Sequence, residues 1–182
     1  MRQHLLQQRA GMPAERRKAA GEALCRQLAA HPLFCGADQI LGYVPVRGEP
    51  LLLPLLEQAL RQGKTVAFPR CVGTQMQFHV VSSLDDLLPG RFGIPAPSPD
   101  APLATITDKT LCLLPGLAAG KDGSRLGYGG GFYDRFLDTY AGKTIFPIYD
   151  SFVFSTLPTE GTDHRVTCVV TEKGEIPISC PI

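Results

Sequence analysis

Charge of one sign is what this sequence most plainly lacks. Its 182 residues carry 18 basic and 17 acidic side chains, a formal net charge of +1. There is no general electrostatic attraction for nucleic acid or an anionic membrane, and an anionic ligand has to be met locally. The longest basic cluster, Arg16-Arg17-Lys18, falls on a predicted helix and reads as a solvated face. Long apolar runs are missing too. No stretch approaches the ~20 residues of a membrane span, and the opening "MRQHLLQQRAGMPAERR" has no apolar segment of the signal-peptide kind. A cytoplasmic protein with no nucleic-acid or membrane partner is expected. The six cysteines (25, 35, 71, 112, 168 and 180) include no CxxC pair, and none of the four histidines stands four residues from another. Buried thiols are therefore expected in preference to disulfides or a zinc site. No internal repeat is visible.

What is present is alternation of helix and strand. Ala20, Leu24 and Leu28 recur at four-residue steps after Pro13 and stop at His31-Pro32, which predicts a long amphipathic helix. "QILGYVP" (39–45) reads as a strand, "LLLPLLEQALRQG" (51–63) as a helix capped by Gly63, and "KTVAFP" (64–69) as the next strand. Strand, helix and strand with short joints predict a parallel crossover. "MQFHVV" (76–81) alternates as a more exposed strand, and "SSLDDLL" follows as a short helical turn. Residues 89–102 hold five prolines and two glycines and read as an ordered loop over the surface. "TLCLLP" (110–115) has the continuous apolar character of a strand buried on both faces, and "TIFPIY" and "RVTCVVT" add two more strands. At this length roughly 70% of the unfolded chain's surface can be buried in one core. The expectation is a single α/β domain over 1–182, with an open, mostly parallel central sheet and helices on both faces.

The stretch with the most chemistry is "RLGYGGGFYDRFL" (125–137), with four glycines in five consecutive residues leading into a predicted helix on which Phe132, Phe136 and Tyr140 share a face. It follows a buried strand by way of the loop "GLAAGKDGS", at the carboxyl end where open α/β sheets bind ligands. Unpaired backbone N–H groups at such a turn favour an anion, typically phosphate, and Arg125 adds a forked donor. Asp134 reads either as a helix-capping acid or as a carboxylate for Mg²⁺ beside that phosphate. The pattern is neither GxxxxGK[ST] nor GxGxxG, since Phe132 stands at the last glycine of the latter. On these residues alone, a purely structural tight turn remains open.

"LLPGLAAGKDGSRLGYGGGFYDRFL" (113–137) closely resembles the signature of the 5-formyltetrahydrofolate cyclo-ligase family, also called methenyltetrahydrofolate synthetase. "GYVPVRGEPLLLPLLEQALRQGKTVAFPR" (42–70), "FGIPAP" (92–97) and "LPTEGTDHRVTCVVTE" (157–172) extend the resemblance over nearly the whole chain. It implies an open α/β fold and an ATP- and Mg²⁺-dependent ligase of folate and one-carbon metabolism, acting as a monomer. ATP would phosphorylate the formyl oxygen of 5-formyltetrahydrofolate and N10 would close the ring to 5,10-methenyltetrahydrofolate, with release of ADP and phosphate. Carried over by position, the resemblance assigns Arg2, Arg125, Gly127, Tyr128, Gly129, Gly130 and Gly131 to ATP, and Asp134 and Asp163 to Mg²⁺. Glu49 would contact the folate, Tyr43, Val44 and Phe92 would form the apolar wall of the pterin pocket, and Phe132 and Tyr133 would be the aromatic pair after the glycines.

The sequence departs from the family pattern at several places. Of the N-terminal KxxLR motif only the arginine is matched, by Arg2; its lysine would fall before Met1, so either the true start lies upstream or one phosphate contact is absent. Gly120 stands for an acid, Ala96 for the glutamate of GIxEP, and Phe152 for a glutamine. Two other readings follow: a catalytically weakened relative that binds folate or nucleotide, and a phosphosugar enzyme on a similar scaffold.

Overall fold

The computed structural model describes residues 1–158 and 164–178. In chain order its elements are α1 (Arg2–Ala10), α2 (Ala14–Ala30), α3 (Pro32–Gly36), β1 (Gln39–Leu41), α4 (Leu53–Arg61), β2 (Thr65–Val72), β3 (Gln75–Val81), β4 (Thr110–Leu113), β5 (Ala118–Gly120), β6 (Arg125–Leu126), α5 (Phe132–Leu137), β7 (Lys143–Pro147), β8 (Val153–Phe154), β9 (Cys168–Thr171) and β10 (Gly174–Ile176). Seven strands form the main sheet in the order β10-β9-β7-β4-β1-β2-β3. The five inner strands pair in parallel, and β3 and β10 run antiparallel at the two edges. A second sheet, β6-β5-β8, lies apart from it.

The side-chain alternation of the inner strands builds two cores, one on each face. Ile40, Val66, Phe68, Leu111, Leu113 and Ile145 meet Leu24 and Leu28 of α2 and Leu55 and Leu56 of α4. Leu41, Ala67, Cys112, Phe146 and Val169 meet Leu5 of α1, Leu137 of α5 and the small sheet's Ala118, Ala119 and Leu126. Each large side chain so buried contributes about 1.5–3 kcal/mol, which is why the inner strands read as unbroken apolar runs. The expected α/β class and mostly parallel sheet with both faces covered are what the chain adopts.

Boundaries differ where backbone chemistry overrules pattern. The strand expected over 39–45 ends at Leu41: Gly42 N still donates to Ala67 O at 2.8 Å, but Pro45 has no N–H to continue the ladder. The chain then turns at 46–49, where Glu49 N donates to Val46 O at 3.0 Å. The helix expected over 51–63 spans Leu53–Arg61 and is capped as anticipated, with Gly63 left-handed at φ +81 and its N–H on Leu60 O. The helix after the glycines is six residues long. Phe136 stacks on Tyr140 at 5.1 Å between ring centres and meets Phe78 at 4.9 Å in a tilted arrangement, while Phe132 turns away beneath Arg135. The apolar face expected of Phe132, Phe136 and Tyr140 is thus two residues wide. The loop "GLAAGKDGS" contains β5, and the proline-rich segment crosses the surface, pinned where Leu88 and Ala96 exchange both backbone hydrogen bonds. Of the five described cysteines, all free, Cys112 and Cys168 are buried, Cys25 and Cys71 are partly buried and Cys35 is exposed. The expectation of buried thiols holds for the two inside strands.

Candidate active site

β1 has β2 on one side and β4 on the other, so the chain reverses its direction of winding between β1 and β4. Beyond the carboxyl ends of strands at such a switch point, the diverging loops leave a crevice. Here the crevice is a cavity of about 420 Å³, within the range of small-molecule sites. Tyr43, Val44 and Glu49 enter it from the segment after β1, Pro115 from the end of β4, and Arg125 to Asp134 from β6, the glycine loop and α5.

The glycines are there for conformation and for access. Gly129 and Gly131 are left-handed, at φ +91 and +65, a region that costs other residues roughly 1–2 kcal/mol. Arginines grip the loop. Arg2 Nε donates to Gly127 O at 3.0 Å, and Arg135 donates to Gly130 O at 3.0 Å and Thr74 O at 2.9 Å. Arg125 is almost wholly buried; its Nη1 donates to Pro115 O at 3.0 Å and its Nη2 to Asp134 Oδ1 at 2.6 Å. Its Nε is buried without a partner among the described residues. A six-residue helix has a smaller dipole than a long one, so the positive character here comes from guanidinium groups.

Asp134 suits a hard cation. Its side chain lines the cavity and is 40% exposed, and Arg125 engages Oδ1, leaving Oδ2 free of protein hydrogen bonds among the described residues. One carboxylate oxygen together with a ligand's phosphate oxygens is a donor set that Mg²⁺ accepts. Asp163, the second metal ligand the resemblance suggests, lies outside the described residues.

In the same cavity Glu49 is buried. Its carboxylate accepts from Val46 N at 2.9 Å and Gly116 N at 3.1 Å, and Tyr128 lines the cavity beside it. Burial pushes its titration above the ordinary range, while those donors and the Arg9 charge oppose the rise. The Tyr43 hydroxyl beside it is buried and has no partner among the described residues. A buried donor of this kind costs about 1–3 kcal/mol unless something pairs with it. Phe92, expected as pocket wall, is 69% exposed and left-handed at φ +58. It stands at the cavity mouth with Arg91 over its ring.

Sequence reasoning missed Arg9, which is fully buried under the cavity with its Nη1 on Tyr128. The available signal was an arginine four residues after Leu5 on the face of α1 that turns inward. The departures from the family pattern are accommodated. At Gly120 a Cβ would fall 2.4 Å from Asp122 Oδ1 and 2.2 Å from Ser124 Oγ, so those polar groups occupy the space an acid would need. Phe152 is buried beneath the Arg9 guanidinium, and Ala96 lines the cavity.

One other group of metal-ligand residue types exists among the described residues. His31, Cys168 and Glu175 bring their donor atoms within 4.8 Å of one another. The Leu33 N–H donates to His31 Nδ1 at 3.2 Å, so Nε2 is the protonated nitrogen and faces Glu175 at 3.3 Å. With its proton in place, that nitrogen has no lone pair for a metal. No helix among the described residues is long and apolar enough to cross a membrane.

Residues 1–172 match the sequence profile of the 5-formyltetrahydrofolate cyclo-ligase family. The chain is 32% identical over 181 residues to the 5-formyltetrahydrofolate cyclo-ligase of Mycolicibacterium smegmatis, spanning 95% of this chain and 92% of that protein. It is 27% identical over 172 residues to the Escherichia coli K12 protein of the same description, spanning 91% and 94%. Its fold superposes on the NMR structure of 5,10-methenyltetrahydrofolate synthetase from Aquifex aeolicus with a TM-score of 0.88 at 30% identity, covering all of this chain and 92% of that one.

Proposed function

The chain belongs to the 5-formyltetrahydrofolate cyclo-ligase family, and on that premise we propose that its cavity converts 5-formyltetrahydrofolate, ATP and Mg²⁺ to 5,10-methenyltetrahydrofolate, ADP and phosphate. The supporting observation is what one cavity brings together: a buried carboxylate, a tyrosine hydroxyl with no partner among the described residues, and a glycine loop held by arginines.

Glu49 and the Tyr43 hydroxyl hold the polar edge of the pterin, while Val44, Phe92, Phe132 and Tyr133 pack against its rings. The backbone of Gly127 to Gly131, with Tyr128, Arg2 and Arg125, holds the ATP phosphates. Asp134 would hold Mg²⁺, whose charge neutralises phosphate oxygens when it is bound. The γ-phosphoryl group passes to the formyl oxygen, N10 attacks the activated carbon, and phosphate leaves as the ring closes. Such a transfer needs positioning and charge stabilisation more than a protein nucleophile, and the residues gathered here supply both. The protein acts as a cytoplasmic monomer in this reading.

The test is turnover by the purified chain, followed by the absorbance of methenyltetrahydrofolate, with ATP or Mg²⁺ omitted in turn. Product formation that depends on both is expected. Tight binding of folate or nucleotide with no product would replace this reading with that of a binding protein.

A further inference from the structure

Arg9 heads the fully buried side chains by volume among the described residues, and it lies on α1, more than 100 residues from every hydrogen-bond partner of its side chain. Its Nη1 donates to the Tyr128 hydroxyl at 3.0 Å, and its Nη2 to the Gly116 and Leu117 carbonyls at 2.7 and 3.1 Å. The guanidinium stands 5.1 Å from the Phe152 ring centre. Its stem packs beneath Gly48, where a Cβ would lie 3.2 Å from Arg9 Cγ. No carboxylate among the described residues forms an ion pair with it.

A charge withdrawn this far from water is costly unless compensated. The compensating charge is Glu49, and Tyr128 stands between the two. A guanidinium only donates, so the Tyr128 oxygen accepts from Arg9 and its own proton stays available to a neighbouring acceptor such as the Glu49 carboxylate. The carboxylate's remaining bonds come from Val46 N and Gly116 N, and Gly116 is the residue whose carbonyl Arg9 holds. Arg9 therefore reaches Glu49 by two routes, one through a side chain and one through the backbone at the end of β4.

We propose that Arg9 is a positioning residue of the cavity: acting through Tyr128 and the Gly116 backbone, it fixes where the Glu49 carboxylate sits and how it is oriented. Only the substrate used to test it kinetically rests on the function proposed above.

The first measurement needs no substrate. In full-length protein labelled at the glutamate carboxyl carbons, the Glu49 resonance is assigned by its loss in Glu49→Gln and titrated by NMR. The groups that face it are Arg9 from α1, Tyr43 after β1, Tyr128 in the glycine loop, Tyr133 in α5 and Tyr149 after β7. Arg9→Met and Tyr128→Phe should each move the Glu49 titration up by about one pH unit, and the double variant should move it less than the sum of the two. Arg9→Lys, which keeps the charge but not the fork, should restore part of the shift. An unmoved titration, or strictly additive shifts, would overturn the proposal. Tyr128→Phe leaves both carbonyl bonds of Arg9 in place, so it decides the matter even if Arg9→Met does not fold.

The second measurement is kinetic. Both variants should raise KM for 5-formyltetrahydrofolate about tenfold with a smaller change in kcat, the pattern of lost ground-state positioning. An unchanged KM would overturn the proposal. Wild-type protein that turns nothing over would sink the proposed function and leave the titration to judge Arg9.

Discussion

Arg125 and Asp134 meet at 2.6 Å across the glycine loop, the arginine buried and the carboxylate 40% exposed. The pair spans the loop from β6 to the first turn of α5, so the side chain that ties the two ends of the loop together also holds a carboxylate that lines the cavity. Asp134→Asn should lower Mg²⁺-dependent kcat by roughly 10²-fold or more. It should cost about 1–3 kcal/mol of stability through the weakened bond to Arg125. The turnover assay and a thermal melt check the two together, and undiminished turnover would remove Asp134 from the metal site.

Gly129→Val places a β-branched side chain at φ +91, on backbone that has to approach phosphate closely. KM for ATP should rise about tenfold or more, equivalent to ~1.4 kcal/mol, with little effect on folate binding. Isothermal titration with each ligand separates the two. Wild-type ATP affinity would show that these glycines only make a turn.

Tyr43→Phe is expected to act in opposite directions on stability and on function. Removing a buried hydroxyl that has no partner among the described residues should raise stability by about 1 kcal/mol, and the same change should weaken folate binding. A melting temperature that falls, with KM unchanged, would mean that the hydroxyl is paired within the protein.

Asp122 carries a pH dependence away from the cavity. The Ser124 hydroxyl, at 2.6 Å, holds its carboxyl below the ordinary value of 3.8, with further help from the Ser124 N–H and the Arg165 charge. A lowered folded value means stability that is present above about 3.8 and lost as pH falls through the folded value. Asp122→Asn should therefore be less stable than wild type at neutral pH, and the difference should shrink below pH ~4. Urea unfolding across that range is the check; a gap that stays constant in acid would contradict it.

The central sheet was legible because its strands are buried on both faces and read as apolar runs, as at 110–113 and 143–147. The small sheet was not, because β6 and β8 have two residues each and β5 three, too few for any period to register. The glycine loop and Asp134 were visible as a motif, and Glu49 and Tyr43 emerged only through the family resemblance. Arg9 was hidden for a physical reason: side-chain type predicts exposure for arginine, and the partners that make its burial possible are carbonyls and a tyrosine more than 100 residues away.

Those distances have a consequence for how the molecule is built. The contacts that complete the cavity join the first helix to residues 107 to 125 positions later, through Arg2 to Gly127 and Arg9 to Gly116, Leu117 and Tyr128. Contacts of such sequence separation are slow to form, because a long loop has to close before they contribute. During synthesis α1 emerges long before the residues it contacts, and β1, α4, β2 and β3 can associate while the ligand cavity does not yet exist. Competence to bind should thus appear as a late kinetic phase in refolding, after most of the helical signal has returned, and it should be the first property lost when denaturant is added.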